Sequence, residues 1–294
     1  MRIGLSVPPL GLPFAEIPAW CGRAEELGYT DVWTYEGVLL DGFTPATLAA
    51  AGTRSLRIGI GIIPAFTRPA GLIAMSAAAL ALAAPGRFVL GLGSSTKVIV
   101  EEWMGIPFSR PRERTVETAR AVRSLLHGER VGRFKLALTP DPPPEIWLAG
   151  LGPKMLASLS GVADGACFFL VGPRLLPELI REAGGLPSME RLLVHTGSAD
   201  EARRSLIPYA LSPGYQPVLR RQGFGEEIDA ILARWAAGDR AAAPGQVSDE
   251  MLRELVLMGD VDAIRSRLED YAAAGLGTAA LQMPPSLLEP LSPR

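Results

Sequence analysis

The stretch Ser55 to Gly93, SLRIGIGIIPAFTRPAGLIAMSAAALALAAPGRFVLGLG, constrains the fold of this chain more than any other. Ile58 to Ile63 is a short, β-branched apolar run ending at Pro64, and Thr67-Arg68-Pro69 forms a polar turn after it. The pattern predicts a helix from about Ala70 to Ala84, a turn at Pro85 to Arg87, and a second apolar strand from Phe88 to Leu92. Two nearly continuous apolar strands joined through a helix make a βαβ unit, whose strands are parallel and covered on both faces. Both strands end in small or polar residues, and α/β enzymes place their ligands at such carboxyl ends.

The alternation of strand and helix extends in both directions. Strands are predicted over Met1 to Val7, Asp31 to Tyr35, Glu145 to Ala149, Ala163 to Leu170, Arg191 to Thr196 and Gly277 to Gln282. Helical spacing recurs from Phe14 to Leu27, with Gly28 as the C-terminal stop, and Thr44-Pro45 reads as an N-cap followed by proline. A helix follows Pro153 to about Val162, and Ser198 with Glu201 forms a capping box. Residues 212–258 break the rhythm and read as an insertion after strand seven. Eight strand-plus-helix signals predict a (β/α)8 TIM barrel occupying residues 1–294 as one domain, with a doubly wound sheet as the competing arrangement.

Composition narrows the function. With 48% hydrophobic and 20% charged residues the chain has ample core material. A net charge of -2, from 29 basic and 31 acidic side chains, offers no pull toward nucleic acid or an anionic membrane. Gly71 to Ala84 is too short to span a bilayer. Two distant cysteines, two histidines and no signal-peptide pattern fit a soluble, reducing, cytoplasmic setting, and no metal site is expected.

Four places could carry chemistry. Gly91 to Thr96, GLGSST, ends a strand in glycines and hydroxyls that suit an anion, although an ordinary glycine turn has the same look. Ala149 to Lys154, AGLGPK, sets free amides and a lysine at a helix start and suits a phosphate; a tight βα turn with a solvated lysine is the plainer reading. Gly61-Ile62 lies in a strand weakened by two glycines, which indicates a bulge, a close ligand approach, or space for a neighbouring helix. Glu36, with Tyr35 and Asp41, falls just past strand two, as an acid/base group, a ligand anchor or a solvated carboxylate. His195 and His127 read as structural, and Arg68, Glu101, Glu102 and the Arg110/Arg112/Arg114 run as surface or inter-subunit charges. The Ala-rich helix is apolar nearly all round, so a loop or a second subunit should cover it.

Several of these segments together resemble one family, the bacterial-luciferase-like oxidoreductases, and within it the coenzyme F420-dependent branch that includes methylenetetrahydromethanopterin reductase. The carriers are Ala24 to Glu36, Ile58 to Ser95, Gly105 to Arg114, Ile146 to Gly165 (IWLAGLGPKML…ADG) and Gly259 to Leu276. The resemblance implies a single barrel, often dimeric, with the insertion after strand seven. It implies a 5-deazaflavin (F420), or alternatively FMN, at the carboxyl-end mouth. By position, Gly61-Ile62 matches the bulge behind the central ring, where relatives have a non-prolyl cis peptide. Gly93, Ser94, Ser95 and Thr96 match the loop contacting the cofactor side chain, and Ala149, Gly150, Leu151, Gly152 and Lys154 the phosphate loop. Many F420-dependent members place His after the acidic residue, whereas this chain has Glu36-Gly37, leaving Glu36 as the acid/base candidate. The implied activity is hydride transfer between F420 and a small organic substrate. An FMN monooxygenase, or a cofactor-binding protein without turnover, is the alternative. Residues 37–43, 128–144 and 212–258 would shape the substrate pocket.

Overall fold

The structure, a computed structural model, describes residues 1–37 and 40–294. Val38 and Leu39, part of the 37–43 segment expected to shape the pocket, lie outside the described residues. The chain runs β1 (Arg2–Ser6), α1 (Ile17–Glu26), β2 (Asp31–Thr34), α2 (Phe43–Gly52), β3 (Arg57–Pro64), α3 (Ala70–Ala83), β4 (Phe88–Gly93), α4 (Pro111–Leu126) and β5 (Glu145–Ala149). It continues through α5 (Pro153–Leu156), β6 (Gly165–Phe169), α6 (Leu176–Glu182), β7 (Ser188–His195), α7 (Ala199–Leu211), α8 (Gln216–Arg221), α9 (Gly225–Ala236), α10 (Asp249–Leu255), β8 (Val256–Met258), α11 (Val261–Ala273) and β9 (Thr278–Gln282).

Parallel pairing from β1 through β7, then β7 to β9 and β9 back to β1, closes the sheet into an eight-stranded barrel. Closure removes every edge, so each strand can be apolar on both faces. The remaining strand, β8, was not foreseen: it falls inside the expected insertion. A strand has two edges, and β9 occupies one edge of β7 up to Leu193. Along the other edge β6 stops at Arg191, and β8 continues from Leu193 to His195.

Two cores result. The larger lies between strands and helices, and the smaller fills the barrel with Trp33, Val89, Trp147, Cys167, Met189 and Ala280. Trp33 and Trp147 face each other across it at 5.4 Å between ring centroids. The glycines of β3 make room for these rings, not for a helix. A Cβ on Gly59 would stand 2.2 Å from the Trp33 ring, and one on Gly61 would stand 1.9 Å from that of Tyr35.

Two local expectations need correction, and one turn is new. The helix after Pro153 is a single turn, because beyond Ala157 the amides of Ser158 and Leu159 bond three residues back, to Met155 O and Leu156 O. Residues Val98–Trp103, for which no element was expected, form a wide, π-helical turn. Helix α2 is capped by Asp41, whose Oδ1 accepts from the amides of Phe43 and Thr44 at 2.9 Å each, and not by Thr44. The Ser198/Glu201 capping box and the left-handed Gly28 after α1 are present. On α3, Leu72, Met75 and Leu82 remain exposed.

Candidate active site at the carboxyl end of the barrel

The carboxyl ends of β2 to β7 surround one mouth, and the strand register decides which residues reach it. Between β3 and β4 the pairing slips between Ile60 and Ile63, so Gly61-Ile62 is a bulge. Bulges redirect a strand end and often sit beside sites. The bulge forces small residues next door: a Cβ on Gly91 would meet the Ile60 carbonyl oxygen at 2.2 Å. The non-prolyl cis peptide implied at this point is absent. Among the described residues the cis bonds are Val7-Pro8 and Asp141-Pro142, and the bulge accommodates the slip with a trans peptide.

The next strand end carries Gly93, Ser94, Ser95 and Thr96. Ser95 is left-handed at φ 60°, an uncommon conformation for a residue with a side chain. Thr96 Oγ1 accepts from the Ile99 amide at 3.3 Å and so starts the wide turn. The amides of Ser94, Ser95 and Thr96 donate to no group among the described residues. After β5, the same holds for the amides of Leu151 and Gly152. A Cβ on Gly152 would meet nothing within 4 Å, so its backbone is open on that side, whereas one on Gly150 would press on Met155 at 3.0 Å. Lys154 is exposed beside them. Because α5 has only one turn, what this loop could offer an anion is individual amides rather than a long helix dipole. Gly93 adjoins the bulge: a Cβ there would meet Ala149 at 3.2 Å and Ile62 at 3.3 Å. The sites expected on three successive strands therefore meet along one side of the mouth.

Glu36 is there too, but occupied. Arg68 donates to both carboxylate oxygens, at 2.7 Å in the closest pair, and Thr67 Oγ1 and the Gly42 amide add bonds at 3.2 Å. Only 8% of the Glu36 side chain is exposed. Arg68 is thus a half-buried partner and not a surface charge, and its guanidinium lies 5.4 Å from the Phe43 ring centre. The Glu36 amide donates to Ile62 O at 3.1 Å, tying the pair to the bulge. Arg114 also turns inward, donating to Ala65 O at 3.2 Å.

The opposite side of the mouth was not read from the sequence. Arg191, two residues beyond Met189 on the inward face of β7, lies with its guanidinium carbon 3.7 Å from the Phe169 ring centre and 4.5 Å from that of Tyr35. Tyr209 and Tyr215 stack edge-on against Phe169 at 4.9 and 5.8 Å. Burial pushes the Tyr35 phenol well above its usual range and the Cys167 thiol up to about 12, so neither is a ready nucleophile or base at neutral pH. Tyr35 OH, Arg191 Nε and Ser212 Oγ are buried without a hydrogen-bond partner among the described residues. The insertion reaches the rim of the mouth at Gly214, where a Cβ would come within 3.9 Å of Thr96. An arginine in phase with Met189, beside the aromatic end of the neighbouring strand β6, was the available signal. The strand had been started at Arg191, so its inward face was not assigned.

His195 ends β7, and burial lowers its pKa against a weaker opposing pull from Glu201. His127 closes α4. A cleft of about 510 Å³ lies outside the barrel between α10 and α11, where Arg174 already pairs with Glu250 and Glu254. Among the described residues no group of three His, Cys, Asp or Glu could hold a metal ion. No described helix is long and apolar enough to cross a membrane.

Comparison with known proteins places this mouth in context. Residues 1–278 match the sequence model described as luciferase-like monooxygenase. A Mycobacterium tuberculosis protein named as a coenzyme F420-dependent oxidoreductase is 27% identical, the alignment covering 94% of this chain and 93% of that protein. The 5,10-methylenetetrahydromethanopterin reductase of Methanolobus tindarius is 26% identical over 94% of this chain and 92% of its own length. Among solved structures, the F420-dependent tetrahydromethanopterin reductase of Methanopyrus kandleri superposes with a TM-score of 0.81 at 19% identity, covering 99% of this chain and 97% of that one. A type II Baeyer-Villiger monooxygenase of Pseudomonas putida, in complex with FMN, superposes at 0.66 and 17% identity over 100% and 97% of the two chains.

Proposed function

The chain belongs to the luciferase-like monooxygenase family, and on that premise we propose that it is an F420-dependent oxidoreductase. It would pass a hydride between the deazaflavin and an electrophilic C=C, C=N or carbonyl group of a small organic substrate. The observation that carries this reading is the pair of amide clusters at Ser94 to Thr96 and Leu151-Gly152, without acceptors among the described residues and on adjacent strand ends. Full-length similarity to a protein named as a coenzyme F420-dependent oxidoreductase supports it.

Bound there, F420 supplies a C5 centre able to give or accept a hydride, and the protein supplies place and polarity. The amides and hydroxyls of Ser94, Ser95 and Thr96, with the amides of Leu151 and Gly152 and the ammonium of Lys154, hold the phosphate-bearing side chain. The Gly61-Ile62 bulge and Gly93 present backbone to the ring, with Gly150 and Ala149 lining the junction. Glu36 acts as a positioning residue: it fixes Arg68 and, through its own amide, the bulge. The Trp33–Trp147 layer closes the barrel beneath and keeps bulk water from entering below.

Titration of the purified protein with F420, FMN, FAD and NADPH tests the assignment. Micromolar F420 binding with the others at least tenfold weaker is the expected result. Yellow protein that retains FMN would redirect the reading to a monooxygenase. Tight F420 binding with no reduction across a broad acceptor panel would leave a binding protein. We also read residues 1–294 as one domain of a cytoplasmic homodimer joined through the exposed apolar side chains of α3. Light scattering should give twice the 31.2 kDa chain mass, and Leu72→Glu/Met75→Glu should give the monomer.

A further inference from the structure

We propose that Arg191, with the Tyr35 hydroxyl, is the recognition site for a carboxylate carried by the substrate. The inference rests on the mouth being the reaction site, and it adds a substrate class to that reading.

The inward face of β7 fixes where Arg191 lies. Met189 packs in the barrel interior beside Trp33 and Trp147, which are 0% and 1% exposed. Arg191 follows on the same face, opposite Phe169 of β6 and Ala280 of β9. The layer beneath it is sealed, so the accessible part of this half-buried side chain faces the mouth. Two aromatic faces, at 3.7 and 4.5 Å, hold the guanidinium plane and leave its N–H edges as the free donors.

No anion from the chain meets it. Among the described residues Arg191 forms no ion pair and no hydrogen bond, and its Nε–H is buried and unpartnered. Glu190 belongs to the outward face of β7, where one oxygen accepts from the Val171 amide at 2.7 Å, and Glu36 is taken by Arg68. A desolvated cation with a free donor edge is costly to keep unless something outside the chain completes it. The Tyr35 hydroxyl is a second unpartnered donor, on the ring that faces the same cation, and Ser212 Oγ, from the insertion, is a third orphan.

The chemistry of these donors selects the ligand. A guanidinium edge matches the two oxygens of a carboxylate, and a neighbouring hydroxyl donates to the same group. A phosphate dianion would be harder to desolvate between two aromatic rings, and its cradle of open amides lies across the mouth. Anchored here, a carboxylate would orient the reacting carbon toward the β3–β5 side, where the cofactor is proposed to sit.

The test uses the full chain as wild type, Arg191→Gln, Arg191→Lys and Tyr35→Phe. Each is titrated calorimetrically with benzoate, its neutral isostere benzamide, inorganic phosphate and F420. Benzoate should bind wild type at least tenfold better than benzamide. That preference should vanish in Arg191→Gln, fall partway in Arg191→Lys and weaken severalfold in Tyr35→Phe. Unliganded Arg191→Gln should melt within a degree or two of wild type, because it leaves no partner orphaned. Equal benzoate affinity in wild type and Arg191→Gln overturns the proposal. So does phosphate binding in place of benzoate. A tenfold loss of F420 affinity with benzoate binding intact would overturn it as well, and would move Arg191 to the cofactor site. If wild type binds benzoate through Arg191 but binds no F420, the carboxylate site stands and the F420 reading falls.

Discussion

Two arginines stack on aromatic rings inside this barrel, one at each end, and their surroundings differ. At the amino end, Arg57 lies 5.5 and 5.3 Å from the Trp33 and Trp147 ring centres, paired with the fully buried Asp31 and donating to Thr278 at 2.7 Å. Asp31 also accepts from Arg2 at 2.7 Å and from Thr30 at 2.6 Å. Each charged group there answers another group of the chain, whereas the indole N–H of Trp33 has no partner among the described residues. At the carboxyl end, Arg191 lies against Tyr35 and Phe169 with no counter-charge among the described residues. The same stacking motif thus closes a scaffold at one end and leaves an incomplete donor set at the other. A satisfied buried ion contributes to holding the fold, while an unsatisfied one leaves donors that an outside anion would complete.

The largest effect should come from the amino end. Asp31→Ala leaves Arg57 and Arg2 without their anion and should cost about 3–5 kcal/mol, read from urea unfolding. Binding constants of the folded fraction should be unchanged. A midpoint that stays in place would remove the contrast between the two ends.

Glycines make the next comparison. Gly91→Ala drives a Cβ into the Ile60 carbonyl, a backbone atom that cannot swing aside, and should cost about 1–3 kcal/mol by overpacking. Gly152→Ala meets nothing within 4 Å and should change stability by less than about 0.5 kcal/mol, yet weaken F420 binding by narrowing the cradle. Equal destabilisation by both would show that Gly152 serves the fold.

Glu36→Gln should cost about 1–2 kcal/mol, since it replaces a carboxylate that accepts from Arg68, Thr67 and Gly42. If Glu36 positions Arg68, then Glu36→Gln and Arg68→Met should raise KM alike. A collapse of kcat in Glu36→Gln alone, with KM unchanged, would make Glu36 a proton donor after all.

The smallest effect is a trend with pH. Burial holds the Glu190 carboxyl well above its ordinary range, so the folded chain keeps a proton that the unfolded chain releases near pH 4.5. Its contribution to stability is therefore full at low pH and declines as pH rises toward the folded-state value. Melting of wild type against Glu190→Gln across pH 4.5 to 8 should show the variant gaining ground as pH increases. A difference that is flat or of opposite sign would refute the buried, protonated state.

How much of this was legible beforehand differs by element. The Ile58 to Ile63 and Phe88 to Leu92 runs declared parallel strands because an alternating or helical period was absent, and the glycine-hydroxyl endings declared the β4 and β5 loops. The suspected bulge followed from Gly59 and Gly61, although the rings those glycines admit, Trp33 and Tyr35, belong to another strand. Helix α5 was read too long because its apolar spacing continues past Ala157, where the backbone bonding shifts from four residues back to three. Strand β8 was missed because three residues carry no period. Glu36 looked like a free acid because Arg68, its partner, lies 32 positions away in sequence.

The sequence by itself determined the barrel, its glycine-rich loops and its family, since period, turn chemistry and motif spacing are local along the chain. Only the tertiary structure decided which charges are spent and which are free. Pairing energy depends on what closure brings across the ring: Asp31 reaches Arg57, Glu36 reaches Arg68, and Arg191 reaches two aromatic faces and no anion among the described residues.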